Sequence, residues 1–147
     1  MLRLIITLVG SLLLTASCFG QAVDDAQRTD VLESVYRYQI AQCYKGRSPK
    51  AYFVSYVRSD PDETVLARLA ASDHRVTKVS LRDLNDPETA RSSIIVSISH
   101  VDFRSRRIAY VRGSCIAGGL DAYSYLYRVE FRWGRWIVMR RKLTGFA

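Results

Sequence analysis

The stretch Tyr127–Lys142, YRVEFRWGRWIVMRRK, decides how the second half of the chain folds. Read linearly, it interleaves arginines with aromatics, as a surface that holds phosphates and stacks bases would. Folded at Gly134-Arg135 as a two-residue turn with glycine first, it becomes a β-hairpin. In that register Trp133 opposes Trp136, Arg132 opposes Ile137, Phe131 opposes Val138 and Glu130 opposes Met139. Side chains alternate across a strand with period 2. One face then collects Tyr125, Tyr127, Val129, Phe131, Trp133, Trp136 and Val138. The other collects Arg128, Glu130, Arg132, Ile137, Met139 and Arg141. Aromatics and cations therefore separate in space. A single-strand nucleic-acid groove needs both on one surface, so nucleic acid is disfavoured. The aromatic face is a core face, or the wall of a pocket lined by Trp133, Trp136, Phe131 and Tyr127.

Working outward, the strands before the hairpin read as a meander. RVTKVSLRDL alternates through Val76, Lys78 and Ser80 against Thr77, Val79 and Leu81. SSIIVSISHVDF places Ile94, Val96 and Ile98 on one face. Arg104 to Arg107 is a charged turn, and IAYVRGSC is the next strand. The chain before them reads as helical. Asp30 or Thr29 is the expected cap, and Asp30 with Glu33 has capping-box spacing. Val31, Leu32, Val35, Tyr36, Ile40 and Cys43 recur at helical spacing, and Gly46 suits the exit. AYFVSYV, residues 51–57, is a strand or part of a helical pair. Asp60, Pro61 and Glu63 signal a second helix start, followed by Val65, Leu66, Leu69 and Ala70. The expected fold is α+β: N-terminal helices packed on a curved antiparallel sheet of about four to five strands.

The N-terminus has another character. MLR, then LIITLVGSLLLTA, then SCFGQA supply a positive start, a short apolar run and a small-residue exit, the parts of a secretory signal. The apolar run falls short of the roughly 20 residues of a membrane span. Residues 1–22 read as a signal peptide cleaved after Ala22, leaving 23–147 as one domain. Alternatively, Thr15-Ala16-Ser17-Cys18 resembles a bacterial lipobox with Cys18 acylated. The expected location is the periplasm or the extracellular space, or the envelope if Cys18 carries lipid. Cys43 and Cys115 would then meet an oxidising compartment, as a disulfide or as two buried thiols. Closing that loop would contribute about 4 kcal/mol in the chain-entropy account.

Of the 147 residues, 22 are basic and 14 acidic, a net charge of +8. From Arg104 onward ten basic residues face only Asp121 and Glu130, a local net of +8. All the excess positive charge therefore belongs to the last third. Such asymmetry points to an acidic partner: anionic lipid, acidic polysaccharide or an acidic protein. Arg104, Arg106, Arg107, Arg128, Arg132 and Arg141 are the candidate binding residues.

Chemistry is sparse. His100 and Asp102 share a strand face with Ile98 and are the candidate acid/base pair, although a strand-end histidine near a turn is the simpler reading. His74 follows Asp73 at a helix end. No CxxC, HExxH, phosphate loop or GxSxG elbow is present. No metal site or cofactor is expected.

The ending Tyr127-Arg128-Val129 and Gly134-Arg135-Trp136-Ile137-Val138, with the capped first helix, resembles the closing hairpin of the nuclear-transport-factor-like and cystatin-like α+β superfamily. It is similar also to small secreted bacterial proteins of this architecture. The resemblance implies helices on a curved sheet. Where that superfamily is enzymatic, it implies a conical pocket holding an Asp and sometimes a His, with isomerase or hydratase chemistry on a small apolar substrate. The superfamily also contains many non-enzymes. The leading expectation is an exported binding or accessory domain, and the conical-pocket enzyme is the alternative.

Overall fold

A computed structural model describes residues 24–147 apart from 47, 84, 119 and 120. The expected signal peptide over 1–22 and the candidate acylation site Cys18 lie outside the described residues. The chain runs α1 (Asp25–Gln42), β1 (Ala51–Tyr56), α2 (Glu63–Ser72), β2 (Val76–Lys78), α3 (Pro87–Ser92), β3 (Ser93–Ser105), β4 (Ile108–Ala117), β5 (Asp121–Arg132) and β6 (Arg135–Phe146). The sheet has six strands in the order β2-β1-β3-β4-β5-β6, more than expected. It is mixed. β1 pairs in parallel with both β2 and β3, and the rest is an antiparallel meander. The cause is the connections: α2 lies between β1 and β2, and α3 leads into β3. A parallel neighbour needs such a crossover, whereas a short turn gives an antiparallel one.

The helices begin where local chemistry satisfies their free amides. The Asp24 carboxylate accepts from Ala26 N at 3.2 Å, so α1 starts earlier than the Asp30 signal suggested. Asp30 and Glu33 instead accept from Arg68 of α2, at 2.8 and 3.2 Å. Asp62 rather than Asp60 precedes α2. Asp60 instead receives Ser80 N and Oγ at 2.9 and 2.6 Å, which holds the short 3-10 turn Val79–Leu81. That turn cuts the expected long strand after Lys78. Asp86 caps α3 through Glu88 N and Thr89 N.

α1 lays Val31, Leu32, Val35, Tyr36 and Gln39 onto the sheet. Val54, Ile94, Val96, Ile98, Ala109, Val111, Cys115, Tyr127 and Val129 meet them, and Val65, Leu66 and Leu69 of α2 complete the core. Tyr36 donates to Ser55 O at 2.6 Å inside it. Cys43, at the end of α1, lies across from Cys115 of β4, with sulfurs 1.95 Å apart, at bonding distance.

The hairpin corrects the expected register. Its loop is Trp133-Gly134, not Gly134-Arg135. Arg132 faces Arg135, Phe131 faces Trp136 and Glu130 faces Ile137. Both loop residues have positive φ, 51° and 76°, the type I′ geometry whose twist matches the strands. The register moves by two residues, so face parity is kept: Phe131, Trp136, Val129 and Val138 still share a face. Trp133 does not. It leaves the face for the tip, where it is 82% exposed, while Trp136 is 6% exposed.

Bulges make the other corrections. Between Ile98 and His100 the β3–β4 register slips by one residue at Ser99. His100 and Asp102 therefore lie on the sheet's outer face, opposite Ile98, and Val101 and Phe103 turn inward. At Met139 the β5–β6 register slips again, so Arg128 faces Arg140 and Tyr127 faces Arg141. Arg141 is thus on the helix side, away from Glu130. Its guanidinium lies over the rings of Tyr38 and Tyr125, at 5.9 and 5.2 Å. A bulge inserts one residue and re-aims those beyond it.

Candidate binding surface

The helix-facing side of the hairpin is filled. Trp136 meets Phe103 and Phe131 edge-on, with ring centroids 5.8 and 5.7 Å apart. Tyr127 is fully buried, between Tyr38 of α1 at 5.9 Å and Tyr125 at 5.8 Å. Burial pushes its phenol up to about 12. α1 packs against this face along its length. A groove of about 630 Å³ remains beside it, between α1 and the free edge of β6. Asp30, Glu33 and Arg37 line it on the helix side, and Gly134 to Val138 on the other. Asp30 and Glu33 are already ion-paired there.

His100 and Asp102 do not reach that groove. They project from the opposite face, and Arg104 holds Asp102 at 3.0 Å. His74 sits in the turn after α2. The neighbouring Asp73 is bonded to Arg75, whose hydrogen bonds hold its carboxyl below the usual range. Among the described residues no group of three or more His, Cys, Asp or Glu could hold a metal ion.

The outer face of β3–β6 carries the charge. One row across the strands runs Asp102, Tyr110, Arg128, Arg140; the next runs His100, Arg112, Leu126, Lys142. Glu130 lies beside them. Arg128 reaches it at 2.8 Å and Arg132 at 2.6 Å. The hydrogen bond from Arg132, then the charge of Arg128, holds its carboxyl below the ordinary value of 4.5. Asp102 and Glu130 thus occupy Arg104, Arg128 and Arg132. Arg112, Arg140 and Lys142 have no ion pair among the described residues. Arg140 and Lys142 are two residues apart on β6, and Arg112 stands on β4, across β5, about 10 Å away at the usual strand spacing, so the three share one side of the sheet. A third hydroxyl-rich row, Ser97, Ser114 and Ser124, lies alongside, where Ser97 and Ser114 share a hydrogen bond of 2.6 Å.

At the end of the sheet, the β3–β4 and β5–β6 turns lie together. Phe131 N donates to Arg107 O at 2.9 Å, and Arg107 Nη2 donates to Phe131 O at 3.4 Å. This places Arg106 and Arg107 near Arg132, Trp133 and Arg135. The candidate residues Arg104, Arg106, Arg107, Arg128 and Arg132 therefore share one region, and Arg141 alone is directed to the helix side. Sequence reasoning missed Arg112, Arg140 and Lys142. Strand alternation in IAYVRGSC already set Arg112 apart from Val111; Arg140 and Lys142 depend on the bulge.

Compared with known proteins, the chain matches no family profile, and no curated protein or solved structure matches it. Among the described residues no helix is long and apolar enough to cross a membrane. The joined cysteines fit an oxidising compartment.

Proposed function

We propose that the chain is an exported binding or accessory domain whose cationic surface receives an acidic partner. Anionic lipid, acidic polysaccharide and an acidic protein are the three chemistries that suit it. The observation that carries the reading is the unpaired set Arg112, Arg140 and Lys142 on the open outer face. A folded protein gains little from unpaired like charges gathered on one side of a sheet, since they repel one another; an anion would relieve that repulsion. A catalytic role has less support, because His100 and Asp102 stand on an open face away from the groove. The resemblance to the nuclear-transport-factor-like and cystatin-like superfamily is kept as a proposal about ancestry. A helix on an antiparallel meander supports it, and the parallel β1 and β2 set this sheet apart from a fully antiparallel one.

Retention on an immobilised acidic polymer, measured at rising salt, tests the reading. Exposed charges are screened beyond roughly 10 Å at 0.1 M salt, so retention should fall steeply with ionic strength. It should also fall when Arg112, Arg140 and Lys142 are changed together to serine. Retention that ignores both salt and the triple change removes the proposal.

A further inference from the structure

The tip of the β5–β6 hairpin presents a tryptophan where the backbone does not favour one. Trp133 has φ 51°, a left-handed conformation that among non-glycine residues mainly Asn, Asp and His adopt. The type I′ turn it occupies ordinarily takes Asn-Gly. Its side chain is 82% exposed, so core packing does not account for it. Around it, the segments 104–107 and 132–135 hold five arginines and no carboxylate. Asp102 takes Arg104 and Glu130 takes Arg132. Arg106, Arg107 and Arg135 keep their charge without an ion pair among the described residues.

We infer that this end of the sheet docks on an anionic membrane, with Trp133 entering the headgroup layer and Arg106, Arg107 and Arg135 meeting lipid phosphates. This rests on the acidic-partner reading and commits it to lipid. Tryptophan settles at the membrane–water boundary because its ring is apolar and its N–H is polar. Basic residues near the surface add attraction to an anionic leaflet. The exposed indole favours lipid over a polymer. Trp133 stands at the hairpin tip, 82% exposed, where it can enter a soft layer, whereas an acidic polymer held by charge alone would leave the indole without a role.

The chain direction agrees. Asp30 lies along the groove with Gly134 and Arg135, while Tyr44, past the other end of α1, donates to Asp121 O. α1 therefore starts at the Trp133 end of the sheet. Asp24, the cap of α1, therefore lies on the side that the inference places against the membrane.

The test uses the purified protein with phosphatidylcholine vesicles, with and without phosphatidylglycerol, and with soluble polygalacturonate as a separate arm. The chain has two tryptophans, and Trp136 is buried, so a blue shift in emission on binding reports Trp133. Trp133→Asn suits the positive φ and keeps the turn. The expected result is a blue shift with anionic vesicles alone, absent in Trp133→Asn, whose binding is several-fold weaker. Changing Arg106 and Arg135 to serine should weaken vesicle binding roughly tenfold or more. Anionic-vesicle binding with no blue shift, or with Trp133→Asn binding as tightly as the parent, overturns the inference. Binding to polygalacturonate without binding to vesicles refutes docking on lipid and leaves the acidic-partner reading standing. Binding to neither removes the lipid docking together with the lipid and polysaccharide forms of the acidic-partner reading.

Discussion

Gly113 lies against Gln39 of α1 with no room for a side chain, and Gly113→Ala should be severely destabilising. A Cβ built there would lie 2.6 Å from Ser97 O and 2.7 Å from Gln39 Nε2. Both are too close for contact, and the first is backbone within the β3–β4 pair. Gln39 is fully buried, and its Nε2 donates to Ser97 O at 3.2 Å and Ser114 O at 3.4 Å. The methyl group would displace that amide. Overpacking in a filled core costs about 1–3 kcal/mol, and leaving buried polar groups unpaired costs about 1–3 kcal/mol. The smaller freedom of alanine in the unfolded chain returns roughly 0.4–1 kcal/mol. The two losses share atoms, so the net is about 3 kcal/mol. For a domain of this size that is a fall in Tm of roughly 10 °C. Urea unfolding of the parent and of Gly113→Ala gives the value, with the slope m checked for constancy. The same change in a Gln39→Ala background should cost less, because only the Ser97 carbonyl is then met. A Gly113→Ala protein within about 0.5 kcal/mol of the parent would show that α1 does not approach the sheet as described.

Three further outcomes are expected. Cys43 and Cys115 are 72 residues apart, and replacing both by serine should lower stability by about 4 kcal/mol in the chain-entropy account; denaturation under oxidising and reducing conditions measures it, and an unchanged midpoint under reduction contradicts a bond between them. Tyr36→Phe leaves Ser55 O without its buried donor and should cost about 1–3 kcal/mol, measured by thermal unfolding. Folding lowers the pKa of Glu130, so its contribution is present above 4.5, its ordinary value, and is lost as pH falls through the lower folded value. Glu130→Gln should therefore flatten the decline of Tm below that pH and leave a shallower difference in high salt.

The helices were legible because their signals are local. Val31, Leu32, Val35 and Tyr36 at helical spacing identified the buried side of α1. Gln39 falls on that side too, four residues from both Val35 and Cys43, but its polarity concealed a core position. α3 carried the same kind of signal, Asp86-Pro87-Glu88, in a segment too short to show a period. The parallel pairing of β1 was not legible: Ala51–Tyr56 reads alike whichever way a neighbour runs. Only the crossover lengths separate the cases, and these depend on recognising α2 and α3 as helices between strands.

The candidate surface was harder to read because single-residue slips set it. In β3 the apolar phase runs through Ile94, Val96 and Ile98, then resumes at Val101 and Phe103. That one-residue change of phase is a bulge written into the sequence, and a fixed alternation overlooks it. In β6 the phase runs through Trp136 and Val138, and the next residues facing β5's inner positions are Arg141 and Leu143. Arginine at such a position gives no apolar signal, so the slip at Met139 is silent. Its consequence is a different distribution of charge. Without it, Arg141 would join the outer face, while Arg140 and Lys142 would face the helix. With it, the outer face has Arg140 beside Arg128 and Lys142 in the row of Leu126 and Arg112, and Arg141 rests on Tyr38 and Tyr125, where the ring faces favour a cation. One inserted residue therefore places two cations rather than one on the open surface and gives the third an aromatic seat.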